Sequence, residues 1–235
     1  MYTCAYCTVR ACGKEDYNKM PANCPMKNQD IVKENFELYK KEENYEFYIK
    51  SSEIEALGWA LWSRLKDTVE LCKHMNYKKI GVAFCRGLSS EAKVVCDVFR
   101  KHNFETVSII CKVGGIAKEK VGIDPGMKVR DEDVFEPICN PILQAKLMNE
   151  QKTDFNVIVG LCVGHDSLFT KYSDALCSTL IAKDRALANN PVGAIYCQTY
   201  MKHKLDPSYN EYYKKPLDQR DAADAPSGGN KPMYG

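Results

Sequence analysis

Four cysteines fall within the first twenty-four residues, Cys4, Cys7, Cys12 and Cys24, spaced C-x2-C-x4-C-x11-C with Pro25 directly after the last. A thiolate cage for a soft metal needs four sulfur donors that converge tetrahedrally. A C-x2-C pair supplies two from one tight turn, and the later cysteines return from a short loop. Gly13, Pro21, Asn23 and Pro25 are loop residues, and so short a segment carries too little apolar material to hold itself together. The spacing therefore reads as a metal site for zinc or an iron-sulfur cluster, with the arm ordered by what it binds. The proline after the last cysteine leans toward iron-sulfur and the C-x2-C opening suits zinc. Four ordinary thiols, or two disulfides, are the plainer alternative.

A second set of cysteines lies at the ends of segments that read as strands. Cys85 follows Lys79–Phe84, Cys111 ends 106–110, Cys162 follows Phe155–Val159, and Cys139 precedes the helix leading into that third strand. Ligands of parallel α/β sheets bind beyond the carboxyl ends of the strands, so Cys85, Cys111, Cys139 and Cys162 form a candidate cofactor-binding site, metal or redox in kind. Each also suits the role of a small buried hydrophobe, which is the reading adopted for Cys72, Cys96, Cys177 and Cys197 inside helical or strand patterns.

Gly160-Leu161-Cys162-Val163-Gly164 is followed at once by His165-Asp166. With serine at its centre this strand-to-helix turn would be a nucleophile elbow. Cys162 is accordingly a candidate nucleophile, its thiol acidified by the helix start, with His165 as base or ion-pair partner. This gives a rival reading, a thiol-dependent hydrolase or transferase. Lys183-Asp184-Arg185 after the last strand is either a solvated helix start or an anion clamp. Lys112 with Gly114-Gly115 offers a similar anion site. No G-x-G-x-x-G follows the first strand and no Walker sequence is present, so a nucleotide is not expected.

The elements that must position these groups change period at Lys78. Residues 30–43 and 46–75 carry apolar positions at steps of three and four and read as two helices, with Trp59 and Trp62 as core. Thereafter β and α patterns alternate: strand 79–84, helix 89–102 capped by Ser89 or Ser90, strand 106–110, helix 141–151, strand 155–159, helix 166–172 and strand 176–182. The expected fold class is α/β, a mainly parallel sheet with helices on both faces, Rossmann-like and three-layered, plus the cysteine-rich arm and helices. The expected segments are an arm at 1–27, a helical segment at 28–77 packed on the main domain, the α/β domain at 78–205, and an extended or disordered tail at 206–235. The connection between Cys111 and Cys139 has no periodicity, and connections of that length usually carry function.

An apolar fraction of 45% with 33 basic and 31 acidic residues describes a soluble globular chain of net charge +2. Nothing electrostatic points to nucleic acid or membrane. The opening Met1-Tyr2-Thr3-Cys4 is no leader, and twelve cysteines fit a reducing cytoplasm better as ligands or reactive thiols than as disulfides. A small-molecule anion or a redox partner is the expected company.

Several of these residues together resemble a known family. They are C-x2-C-x4-C with the later Cys24-Pro25, the strand end Phe84-Cys85-Arg86-Gly87-Leu88, Cys139-Asn140-Pro141, the run 160–169, and Lys183-Asp184-Arg185 with Asn190-Pro191. The chain resembles the prokaryotic metal-binding family called domain of unknown function 1847. That resemblance implies a bacterial or archaeal cytoplasmic metal-binding protein and supplies no reaction.

Overall fold

The chain divides where its apolar period changes: Met1–Tyr77 makes one unit and Lys78 begins the next. This computed structural model describes residues 1–14, 16–197, 200, 201 and 205. The expected tail at 206–235 lies outside the described residues.

The first unit opens with four single 3-10 turns, Cys4–Tyr6, Ala11–Gly13, Tyr17–Lys19 and Pro25–Lys27. Three helices follow, α1 (Gln29–Tyr39), α2 (Glu42–Gly58) and α3 (Arg64–His74). The single helix expected over 46–75 is thus two. Gly58 ends α2, Ala60 turns to a positive φ of 57°, and Ser63 restarts the chain by accepting the Lys66 N–H at 3.4 Å. Apolar spacing runs unbroken through this corner, because Leu57, Leu61 and Leu65 keep helical steps on either side of it. The corner also corrects the expectation for the tryptophans. Trp59 is 72% exposed, and Trp62 is half-buried with the Lys66 ammonium 5.3 Å from its ring centre.

The second unit contains β1 (Lys79–Phe84), α4 (Ser89–Lys101), β2 (Glu105–Ile110), α5 (Pro141–Glu150), β3 (Phe155–Val159), α6 (His165–Tyr172), β4 (Cys177–Ile181) and α7 (Val192–Tyr196). Its four strands form one parallel sheet in the order β2-β1-β3-β4. The run Ile80, Val82 and Ala83 and all of β3 are buried, as strands covered by helices require. Helix α4 packs on β1 and β2, and α5 packs on the same two strands and on α6. Leu88, not Ser89 or Ser90, occupies the N-cap of α4. Ser89 is already in the first turn, and its hydroxyl donates to the Arg86 carbonyl at 2.7 Å.

Two buried amides fix the middle and the end of this sheet. Asn156 in β3 is fully buried, accepts the Thr153 hydroxyl at 2.8 Å and donates to Ser173 Oγ at 2.7 Å. Its register partner in β1 is Gly81, where any Cβ would overlap Asn156 Oδ1 and stand 2.8 Å from Met148 Sδ. Gln144 of α5, also fully buried, donates to the carbonyls of Ile109 at 2.6 Å and Phe84 at 3.3 Å. It ties the last residues of β1 and β2 to the helix behind them.

Gly81→Ala should therefore lower stability by about 3 kcal/mol, because the added methyl must push aside a hydrogen-bonded buried amide. A urea unfolding midpoint equal to that of the parent chain would contradict this packing.

Candidate functional site

The order β2-β1-β3-β4 reverses direction between β1 and β3, since β1 leads outward to β2 and the next strand in sequence returns to the other side of β1. At such a switch point the connections diverge and leave a crevice at the carboxyl ends. Cys85 lies just past β1 and is set by its N–H donating to the Val159 carbonyl at 3.1 Å. Cys162 lies just past β3, in a turn where Gly160 takes φ +69° against Leu88, Gly164 takes φ +83°, and the His165 N–H closes back on the Cys162 carbonyl at 2.9 Å. Cys111 ends β2, its N–H donating to the Phe84 carbonyl at 2.8 Å. Cys139 is placed by its neighbour Asn140, which donates its N–H to the Cys111 carbonyl at 2.7 Å and caps α5 by accepting the Leu143 N–H at 3.1 Å.

These four cysteines line one cleft of about 600 Å³ together with Arg86, Lys112, His165 and Arg185. The Cys111 thiol hydrogen-bonds both Cys139 and Cys85, and its sulfur accepts the Arg86 N–H at 3.3 Å. One S–H cannot serve two acceptors at once, so a single proton is shared along the row and the outer two sulfurs take the charge. The hydrogen bond from Cys111, helped by the Gly87 N–H and the charge of Lys183, brings Cys85 down to about 5. The same donor, with His165 and Lys112, brings Cys139 down to about 4. Cys111 itself is pushed up by giving its proton to both neighbours and by burial.

His165, expected beside Cys162, instead hydrogen-bonds Cys139. Cys162 has Arg185 as its partner, with Nη2 donating to Sγ at 2.8 Å, and burial pushes its thiol up rather than down. The helix start alone does not acidify it, because the turn shelters the sulfur from water. Arg185 is aimed by Asp184, whose Oδ1 accepts the Ala186 and Leu187 N–H groups at 2.9 Å each. Of the cysteines expected as plain hydrophobes, Cys72 and Cys96 are buried, Cys177 is half-buried and Cys197 is exposed.

The outer wall is the long connection between Cys111 and Cys139, pinched at its stem by an antiparallel bridge between Ala117 and Pro137. Glu136 is its clasp. One carboxylate oxygen meets Lys118 at 2.7 Å, and the other accepts the Val129 and Arg130 N–H groups at 2.9 and 3.1 Å. The Lys118 hydrogen bond and these backbone donors hold its carboxyl down at about 2. A second ion pair joins Lys128 to Glu119. Nothing in the spacing of this stretch announces the clasp, since no periodic element links Glu136 to Lys118, Val129 and Arg130.

In the first unit, Cys4, Cys7 and Cys24 line a pocket of about 180 Å³, with Cys7 Sγ accepting the Arg10 N–H at 3.4 Å. Asn23 closes the arm by donating to Thr3 Oγ1 at 2.7 Å. Cys12, on the Ala11–Gly13 turn, does not line that pocket. The donors are of the right chemical kind for a soft metal. Among the described residues, however, no group of three or more His, Cys, Asp or Glu side chains stands in metal-holding geometry, either here or in the cleft.

Fold and cleft together define a parallel α/β protein with a thiol-lined crevice at the switch point of its sheet. The chain belongs to the family of proteins of unknown function DUF1847, whose model matches residues 24–180. An uncharacterized protein of Methanocaldococcus jannaschii is 47% identical over 178 residues, which cover 76% of this chain and 90% of that one. No solved structure matches. The family match takes in the four cleft cysteines and begins at Cys24, so Cys4, Cys7 and Cys12 lie before it. Among the described residues no helix is long and apolar enough to cross a membrane.

Two outcomes follow. Iodoacetamide labelling of Cys85 and Cys139, read by peptide mass spectrometry, should be flat from about pH 6 to about pH 8, while that of Cys162 climbs with pH; parallel climbing of all three would contradict the shared-proton arrangement. The Glu136 clasp should be at full strength above its ordinary 4.5 and be lost as pH falls through about 2. Glu136→Gln should open the loop already at neutral pH, seen as faster tryptic cleavage after Lys128 and Arg130 with sheet amides still protected from exchange. Cleavage at the parental rate would show that the clasp holds nothing.

Proposed function

We propose that this is a thiolate metal protein whose principal centre is held by Cys85, Cys111, Cys139 and Cys162, on a Rossmann-like three-layer frame. The observation that carries the reading is the row of sulfurs in which Cys111 hydrogen-bonds both Cys85 and Cys139, assembled from three separate chain segments at the switch point. Three soft donors are of the right chemical kind for zinc or an iron-sulfur cluster, and Cys85, Cys111, Cys139 and Cys162 would hold it as thiolates once closed into metal-holding geometry. When bound, the group supplies Lewis acidity if zinc or electron transfer if a cluster. The chain's own residues do the rest. Arg86, Lys112, Lys183 and Arg185 offset the negative charge of the thiolates, Gln144 holds the strand ends in place, and the clasped loop covers the site. The three-layer frame is supported by topology, because right-handed crossovers running in opposite directions, β1 to β2 and β2 back to β3, put α4 and α5 on opposite faces.

Cys4, Cys7, Cys12 and Cys24 are proposed as a second, structural site, whose four thiolates would hold the metal and whose arm the metal would order. The protein is proposed to act in the cytoplasm, where thiols stay reduced. A second reading, a thiol-dependent hydrolase or transferase, is favoured by the Cys139–His165 pair, which gives that chemistry a thiolate with an adjacent imidazole. It would move the nucleophile from Cys162 to Cys139.

Metal and acid-labile sulfide should be assayed on the full chain purified without oxygen, beside the Cys111→Ser and Cys7→Ser variants. The proposal expects metal in the parent, a loss of one site's content in each variant, and independence of the two losses. A parent chain that holds no metal and takes up neither zinc nor iron with sulfide on reconstitution would contradict it and leave the hydrolase or transferase reading.

A further inference from the structure

The cleft is larger than a metal centre needs. Its volume of about 600 Å³ lies in the range of roughly 300–1,000 Å³ typical of small-molecule sites. An ion or cluster on the thiol floor leaves most of that space for another occupant. The lining is mixed in character. Arg86 and Arg185 line the cleft, and Lys183 lies close enough to act on Cys85. Among the described residues no carboxylate pairs with any of these three cations. Asp184, the nearest acid in sequence, has its Oδ1 engaged by two backbone N–H groups, and Glu136 of the cleft lining is engaged by Lys118. Arg185 spends Nη2 on Cys162 and, among the described residues, keeps the rest of its guanidinium free to hold an oxyanion.

Beside its charged Lys118, Arg130 and Glu136, the long connection contributes apolar lining that stands in water. Val121, Met127 and Val129 line the cleft yet are 53%, 75% and 87% exposed. Apolar side chains left in water around a concave site mark a contact surface rather than a core. The clasped loop presents them there, because Glu136 takes the Val129 N–H and fixes that residue at the cleft edge.

We infer that the cleft binds a small organic anion with an apolar body, its carboxylate or phosphate held by Arg86, Lys183 and Arg185 and its body lying on Val121, Met127 and Val129. A bare inorganic anion would use only the cations and an uncharged hydrocarbon only the apolar lining. The inference stands whether or not the thiols carry a metal.

Calorimetric titration of the full chain with hexanoate, hexyl phosphate, hexanol and inorganic phosphate tests it. At least one alkyl anion should bind, with hexanol and inorganic phosphate weaker by about tenfold or more, the worth of one charge-assisted contact or a buried alkyl chain. Whichever alkyl anion binds more tightly assigns the head group. Arg185→Gln and Val129→Asp should each weaken that binding by about tenfold without shifting the thermal midpoint of the free chain. The inference is overturned if neither alkyl anion binds, if hexanol or inorganic phosphate binds as well as they do, or if both variants bind like the parent. Metal content measured on the same samples keeps the two proposals apart. Anion binding by a metal-free chain sinks only the metal centre, and a loaded chain without anion binding sinks only this site.

Discussion

Parallel pairing of β1 with both β2 and β3 is the constraint on which the site depends. It sends every strand's carboxyl end to one edge, so residues 85, 111 and 162, far apart in sequence, emerge together. The reversal of direction at β1 then leaves a crevice that no connecting helix fills. Two buried amides secure this geometry from inside. Asn156 lies over Gly81 and sets the β1–β3 register, and Gln144 gathers the last carbonyls of β1 and β2. A slip of one residue would turn the apolar faces of these strands around and scatter the thiols.

What those strand ends bring together is an electrostatic problem with one good solution. Three neighbouring thiols do not all ionise together, and Cys111, hydrogen-bonded to both Cys85 and Cys139, is the one held protonated. Lys112 and Lys183 lower the energy of the two thiolates, and the Cys139–His165 hydrogen bond adds to this. A soft cation in place of the shared proton would satisfy the same charges more fully, which is why the arrangement reads as a ligand set in waiting. Arg185 plays a different part. It reaches Cys162 yet remains exposed toward the open cleft, so it links the thiol floor to whatever lies above.

Much of the frame was legible in the sequence. The runs 79–84 and 155–159 are β1 and β3 to the residue, because a strand buried on both faces shows as a mostly apolar segment, interrupted here only by Lys79 and the buried Asn156. The corner at Trp59 was not legible, since the leucine spacing continues across it while the backbone departs at Trp59, Ala60 and Ser63. Nor was the cap of α4, where a serine in the first turn looks the same in sequence as one at the cap. That cysteines after parallel strands share an edge follows from the fold class alone. Which of them pair does not. Cys139 meets His165 because α5 starts where α6 also starts, a consequence of strand order that spacing does not encode. The Glu136 clasp escaped notice because it forms within one aperiodic connection, where no element period marks which groups meet.

X-ray absorption at the metal edge of the anaerobically loaded full chain, in a variant whose arm cysteines are replaced by serine, looks directly at the proposed centre. The account predicts sulfur neighbours at about 2.3 Å, the thiolate distance for zinc and close to that for iron. A first shell of oxygen and nitrogen alone would contradict it, and the row of thiols would then have to be explained by chemistry of the sulfurs themselves.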